Sequence, residues 1–132
     1  MAKRAYIEQN LQWIADKAKE EGIMALGGGV YYKVIKQGNK DALQPTRRSI
    51  VTVHYTGRTI NGKKFDSSLG GTPLAMRLSD LIDGWIIALQ QMHVGDRWEV
   101  YIPADKGYGK FSQPGIPGGS TLVFDIELLG VG

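Results

Sequence analysis

The 132-residue chain contains no cysteine, so disulfides, thiolate metal sites and cysteine nucleophiles are excluded from the outset. It has two histidines, His54 and His93, far apart and in unlike contexts, which argues against a transition-metal centre. No window approaches the 18 or more apolar residues of a membrane span, and Met1-Ala2-Lys3-Arg4 leads into an amphipathic stretch rather than an apolar signal core. The chain as written is therefore expected in the cytoplasm, with a periplasmic or envelope location as the alternative if a signal peptide was removed. There is also no glycine-rich phosphate loop ahead of a helix, no Ser/His/Asp arrangement and no carboxylate pair at short spacing. If the protein is an enzyme, its reaction needs little acid-base or nucleophilic work.

The basic excess, a net charge of +3, lies in scattered pairs such as Arg47-Arg48 and Lys63-Lys64. No nucleic-acid motif accompanies it, so neither nucleic acid nor membrane is expected as a partner. Glycine is abundant: its 18 residues are roughly double the usual share of about 7% and collect at Gly27–Gly29, Gly70-Gly71 and Gly118-Gly119, as tight turns between short strands require.

From Tyr6 to Glu21 the residues Ile7, Leu11, Ile14, Ala15 and Ala18 recur at helical spacing, and Gly22 is a natural stop. Trp13 and Tyr6 fall off that stripe. The helix either docks on the domain or presents Trp13 to a partner. Residues 1–27 form this helix and a glycine-rich connection, and 28–132 form the main domain. Strands follow: Val30–Gln37 is β-branched and tyrosine-rich, and in Ile50–Thr56 the period of two turns Tyr55 inward and His54 outward. Asn61-Gly62 is a hairpin signal, and Pro73–Leu78 is a further short strand. Leu81, Ile82, Trp85, Ile86 and Leu89 mark one internal helix, with Asp83 at its start complementing the dipole. Trp98, Val100 and Ile102 alternate with Arg97, Glu99 and Tyr101, and Leu122, Phe124, Ile126 and Leu128 with Thr121, Val123, Asp125 and Glu127, giving two strands with one wet face each. The Gly/Pro-rich segment Pro103–Ser120 between them is a candidate functional loop. The expected fold is α+β: a curled antiparallel sheet of five to six strands wrapped over one short helix, plus the N-terminal helix. The inward aromatics Tyr55, Phe65, Trp85 and Phe124 are then available to a pocket between sheet and helix.

The strings Val53-His54-Tyr55-Thr56-Gly57 and Gly62-Lys63-Lys64-Phe65-Asp66-Ser67-Ser68 resemble the signature of FKBP-type peptidyl-prolyl cis-trans isomerases. Leu81-Ile82-Asp83-Gly84-Trp85, Tyr108-Gly109, Pro114-Gly115-Ile116-Pro117 and Thr121–Leu129 follow in family order, and the N-terminal part is similar to bacterial members related to the macrophage infectivity potentiator. The resemblance implies catalysis of X-Pro rotation without cofactor or metal, in a pocket lined by Tyr55, Phe65, Asp66, Leu81, Ile82, Trp85, Tyr108, Ile116 and Phe124, with Trp85 as its floor. It implies that the Ile82 N–H and the Tyr108 hydroxyl bond ligand carbonyls, and that Asp66 acts through its field or by orienting Tyr108. It further implies proline-containing polypeptide substrates, assistance to protein folding, and binding of macrolide inhibitors of the FK506 and rapamycin type. The sequence departs from the family pattern in places. Leu69-Gly70-Gly71-Thr72 stands where many relatives carry an arginine paired with the pocket aspartate, Leu74 replaces a rim aromatic, Gln113 stands where histidine is common, and the proline-loop tip is short. Five residues precede the helix, too few for the dimerisation module of longer relatives, so a monomer is expected. The alternative from another class is a non-catalytic proline-peptide binding or chaperone module.

Overall fold

A computed structural model describes residues 3–132. Helix α1 (Arg4–Lys17) precedes β1 (Met24–Gly27), β2 (Val30–Lys36), β3 (Ile50–Arg58), β4 (Lys64–Ser67) and β5 (Leu74–Arg77). Then come α2 (Asp83–Leu89), β6 (Arg97–Ile102) and β7 (Leu122–Val131), with single 3-10 turns at Leu78–Asp80 and Ala104–Lys106. All seven strands form one antiparallel sheet ordered β1-β2-β6-β7-β3-β4, with β5 beside β4 on the outer edge of β3. The additional strand relative to the expected five or six is β1. The glycine run that read as a connection is its hairpin turn: Gly27, Gly28 and Gly29 all have positive φ, and Gly27 pairs with Val30. The sheet thus starts at Met24 and straddles the boundary drawn between residues 27 and 28.

Strict alternation builds the core. Leu122, Phe124, Ile126 and Leu128 of β7 are buried while Val123, Asp125 and Glu127 are only partly covered, and Val51, Val53, Val100 and Ile102 add to the same face. Helix α2 closes that face with Trp85, Ile86, Ala88 and Leu89, and side chains the size of Ile86 and Leu89 each contribute about 1.5–3 kcal/mol when buried. Gly84 lets the helix approach: a Cβ there would lie 2.5 Å from the Ile102 side chain.

The opposite face departs from the wet surface expected for β6. Tyr101 is 1% exposed, because α1 docks over it, with the Trp13 and Tyr101 rings 5.9 Å apart and the Lys17 ammonium over both. The docked face of α1 is rotated from the apolar stripe: Asn10 and Ile14 are buried, whereas Leu11 is 57% exposed. The helix stops at Lys17, short of Glu21, where two carboxylates would oppose its dipole. Asp96 pins the far end of the sheet, its buried carboxylate accepting the Gly38 and His93 N–H groups at 2.6 and 2.8 Å.

Candidate active site

Between α2 and the sheet lies a pocket of about 210 Å³ lined by Tyr55, Phe65, Asp66, Leu74, Met76, Leu81, Ile82, Trp85, Tyr108 and Phe124. Each element delivers one part of it. Tyr55 projects inward from β3 and Phe124 from β7, Phe65 comes from β4, and Trp85 rises from the first turn of α2. The rings meet edge to face: Tyr55 and Phe124 each stand 5.2 Å from Trp85, at 79° and 90°, and Phe65 is 5.6 Å from Phe124 at 89°. This packing leaves a concavity walled by ring faces and edges. Gly57 permits it, since a Cβ there would lie 2.5 Å from Phe65 and 2.7 Å from Phe124. The Trp85 indole N–H is buried with no acceptor among the described residues, a cost of about 1–3 kcal/mol carried beneath the pocket.

Polar groups stand at the rim. The Tyr55 hydroxyl donates to Asp66 Oδ2 at 2.6 Å, and Asp66 Oδ1 accepts the Ser67 N–H at 2.9 Å. Asp66 is therefore oriented through Tyr55, not paired with Tyr108, and no cation bridges it among the described residues. Burial, then the bond to Asp66, raises the Tyr55 pKa above its ordinary value; burial, then the Asp66 charge, raises that of Tyr108. Both phenols stay protonated donors in the neutral range. Among the described residues no acceptor is found for the Tyr108 hydroxyl or the Ile82 backbone N–H. The site thus offers two unengaged donors beside an apolar cavity, and no nucleophile–base pair.

Nine of the eleven expected residues converge here, including Leu74. Ile116 and Gln113 do not: they line a neighbouring depression with Tyr6, Thr59 and Pro117 and hydrogen-bond each other through their backbones. Ile116 is 5% exposed and belongs to the core. Met76 was missed, although it shares a strand face with Leu74 two residues earlier, a period that points to it. No cluster of three or more metal-ligating side chains occurs among the described residues.

A twisted antiparallel sheet covered by one short helix, with a right-angled aromatic cage and two free donors between them, defines a compact class of α+β proteins. Residues 41–129 match the family described as FKBP-type peptidyl-prolyl cis-trans isomerase, and the chain belongs to that family. It is 40% identical over 128 residues to the FKBP-type 22 kDa peptidyl-prolyl cis-trans isomerase of Escherichia coli, covering 96% of this chain and 61% of that protein. It is 43% identical over 119 residues to the outer membrane protein MIP of Legionella longbeachae, covering 89% and 50%. The crystal structure of FkpA from E. coli superposes with a TM-score of 0.89 at 38% identity, covering 96% of this chain and 59% of that one. A peptidyl-prolyl cis-trans isomerase from Pseudomonas syringae gives 0.89 at 33% identity, covering 96% and 93%. The chain thus spans 50–61% of the length of these two curated relatives.

Proposed function

We propose that this chain accelerates cis-trans rotation about X-Pro bonds in proline-containing polypeptides and so assists their folding. The observation that carries the reading is the apolar aromatic pocket of about 210 Å³ with the Ile82 N–H and Tyr108 O–H unengaged at its edge. An X-Pro bond rotates over a barrier of about 18–20 kcal/mol because twisting breaks amide resonance. The planar amide carries charge separation that water solvates; the twisted amide has lost it. A pocket walled by Tyr55, Phe65, Trp85 and Phe124 withholds that solvation from the planar form and holds the twisted one by differential binding. No proton has to move, which agrees with a pocket that holds no nucleophile–base pair. A thousand- to million-fold acceleration corresponds to about 4–8 kcal/mol.

In this reading Trp85 is the floor, Leu74, Met76, Leu81 and Ile82 form the substrate rim, and the two free donors grip substrate carbonyls. Asp66, oriented by Tyr55, acts through its field. Macrolide inhibitors would enter the same cavity, their affinity tuned by Leu74, which stands in place of a rim aromatic, and by its neighbour Met76. We take the catalytic unit as a monomer. The name of the Legionella relative, an outer membrane protein, favours an envelope location over the cytoplasmic one.

The test is a protease-free isomerisation assay on a short X-Pro peptide, with the protein and its Phe124→Ala variant both verified as folded. Acceleration that falls about 100-fold in the variant is expected, a loss near 2.7 kcal/mol. A folded wild-type protein that binds the peptide without accelerating its rotation would establish the binding-module reading instead.

A further inference from the structure

We propose that Asn10 of α1 is a positioning residue for the substrate-binding loop, acting through Thr121 and Gly119 on Tyr108. The inference rests on the isomerase reading and concerns a helix outside residues 41–129, the part that matches the family. Asparagine is a poor helix former, and an amide buried in a helix needs its polar atoms satisfied. Asn10 is 1% exposed and is satisfied from both sides, by its own helix and across the interface. Its Nδ2 donates to Tyr6 O at 2.8 Å, its Oδ1 accepts the Thr121 N–H at 2.8 Å, and the Thr121 hydroxyl donates back to Asn10 O at 3.2 Å.

The neighbouring contacts act on the same limb of the loop. The Ser120 hydroxyl donates its one hydrogen to Pro117 O at 2.6 Å, so at 2.7 Å it is Tyr6 that donates to Ser120 Oγ. Ile7 packs so closely on Gly119 that a Cβ there would lie 2.6 Å from Ile7 Cγ1. Gly119 in turn donates its N–H to Gly109 O at 2.8 Å, and the Gly109 N–H bonds Ala104 O at 2.7 Å. Gly109 directly follows Tyr108, whose ring lines the pocket. The returning limb of the loop is thus fastened to α1, and the outgoing limb that bears Tyr108 is fastened to the returning one.

Nothing on the pocket side fixes the Tyr108 hydroxyl, which has no acceptor among the described residues. A Gly/Pro-rich loop of this kind is mobile unless held, and a held loop spares the substrate the cost of ordering it. Because a hydrogen bond from Tyr108 to a substrate carbonyl forms in ground and twisted states alike, loosening it changes substrate affinity rather than turnover.

The experiment is a kinetic double-mutant cycle in the full chain. Asn10→Ala is expected to raise KM about three- to tenfold with kcat within about twofold. Tyr108→Phe raises KM as well, and the double variant is no worse than Tyr108→Phe alone, because Asn10 acts through that hydroxyl. Leu11→Ala, on the exposed side of the same helix, changes neither constant. Multiplying KM effects in the double variant, or an unchanged KM in Asn10→Ala, would overturn the proposal. Amide exchange gives a readout independent of turnover: in Asn10→Ala the Gly119 amide exchanges at least about tenfold faster while Val100 and Ile126 keep their protection. Unaltered Gly119 exchange, or equal acceleration throughout the core, also overturns it. Should the folded wild-type protein fail to catalyse, the isomerase reading falls, and Gly119 exchange still decides whether α1 holds the loop.

Discussion

The two faces of the sheet carry the same polar device in different surroundings. On the face covered by α2, Tyr55 donates to Asp66 at 2.6 Å; on the face covered by α1, Tyr101 donates to Glu99 at 2.5 Å. Both phenols are pushed upward in pKa, by burial first and by the hydrogen bond to the carboxylate second. Around Tyr101 the space is filled by the Trp13 ring and the Lys17 ammonium. Around Tyr55 the rings of Trp85 and Phe124 meet edge to face and wall a cavity that stays open. A tyrosine–carboxylate pair with a perturbed pKa is therefore no mark of a site by itself. Unfilled apolar volume with unengaged donors at its edge is what separates the two faces.

Two glycines allow the sharpest break of this comparison. Gly57 lies beneath Phe65 and Phe124, and Gly119 lies beneath Ile7 of α1. In Gly57→Ala the new methyl meets two aromatic rings packed against each other, and neither can retreat without deforming the pocket. We expect kcat/KM to fall about 100-fold and stability to fall by about 1–3 kcal/mol, read by the peptide assay and by urea unfolding. Gly119→Ala suffers strain at its φ of +83° and displaces an aliphatic side chain, so it loses stability while kcat stays within about twofold. Equal losses of kcat in the two variants would show that the faces are not functionally distinct.

What the sequence discloses follows the same division. The pocket aromatics were legible because they sit on strands whose period of two fixes the inward side, and on one helix with a clear apolar stripe: Tyr55, Phe124 and Trp85 needed nothing more. The α1 face was only partly legible: Ile7 and Ile14 of the apolar stripe do dock, but so do Asn10, Tyr6, Trp13 and Lys17, polar or amphipathic residues that lie off it, while Leu11 and Ala15 on the stripe stay exposed. Tyr101 misled for the same reason, since a strand facing a helix on its second side looks like a strand facing water. Strand β1 spans four residues, too few to show a period, and runs directly into glycines. Ile116 and Gln113 were assigned by resemblance within a loop whose tip is shortened, and there register gives no guide to which pocket a side chain enters.

The two carboxylates supply the next contrast. Asp66→Asn keeps the size of the side chain and removes the charge beside the pocket, and kcat/KM should fall about tenfold without vanishing, since the cage and the two donors remain. Glu99→Gln makes the same change beneath α1 and should leave kcat/KM within about twofold. A wholly inactive yet folded Asp66→Asn protein would mean that the carboxylate does more than supply a field, and a tenfold loss in Glu99→Gln would tie the α1 face directly to turnover.

The smallest effect concerns alkaline stability, where the two faces should behave alike. Tyr55, Tyr101 and Tyr108 all have folded-state pKa values above the ordinary 10.0. As pH rises past that value the unfolded chain releases its phenolic protons while the folded chain keeps them, so the folded state binds more protons and stability falls with pH. The contribution is whole below the ordinary pKa and is lost as pH climbs towards the folded-state values. Urea midpoints measured between about pH 8 and about pH 11 should therefore decline, and Tyr55→Phe and Tyr101→Phe should each flatten the decline to a similar degree. In the assay, by contrast, Tyr55→Phe should slow turnover by releasing Asp66, and Tyr101→Phe should not. A flattened decline in one variant alone would show that only one of the phenols is held protonated by burial and its carboxylate, and the equivalence of the two pairs would fail.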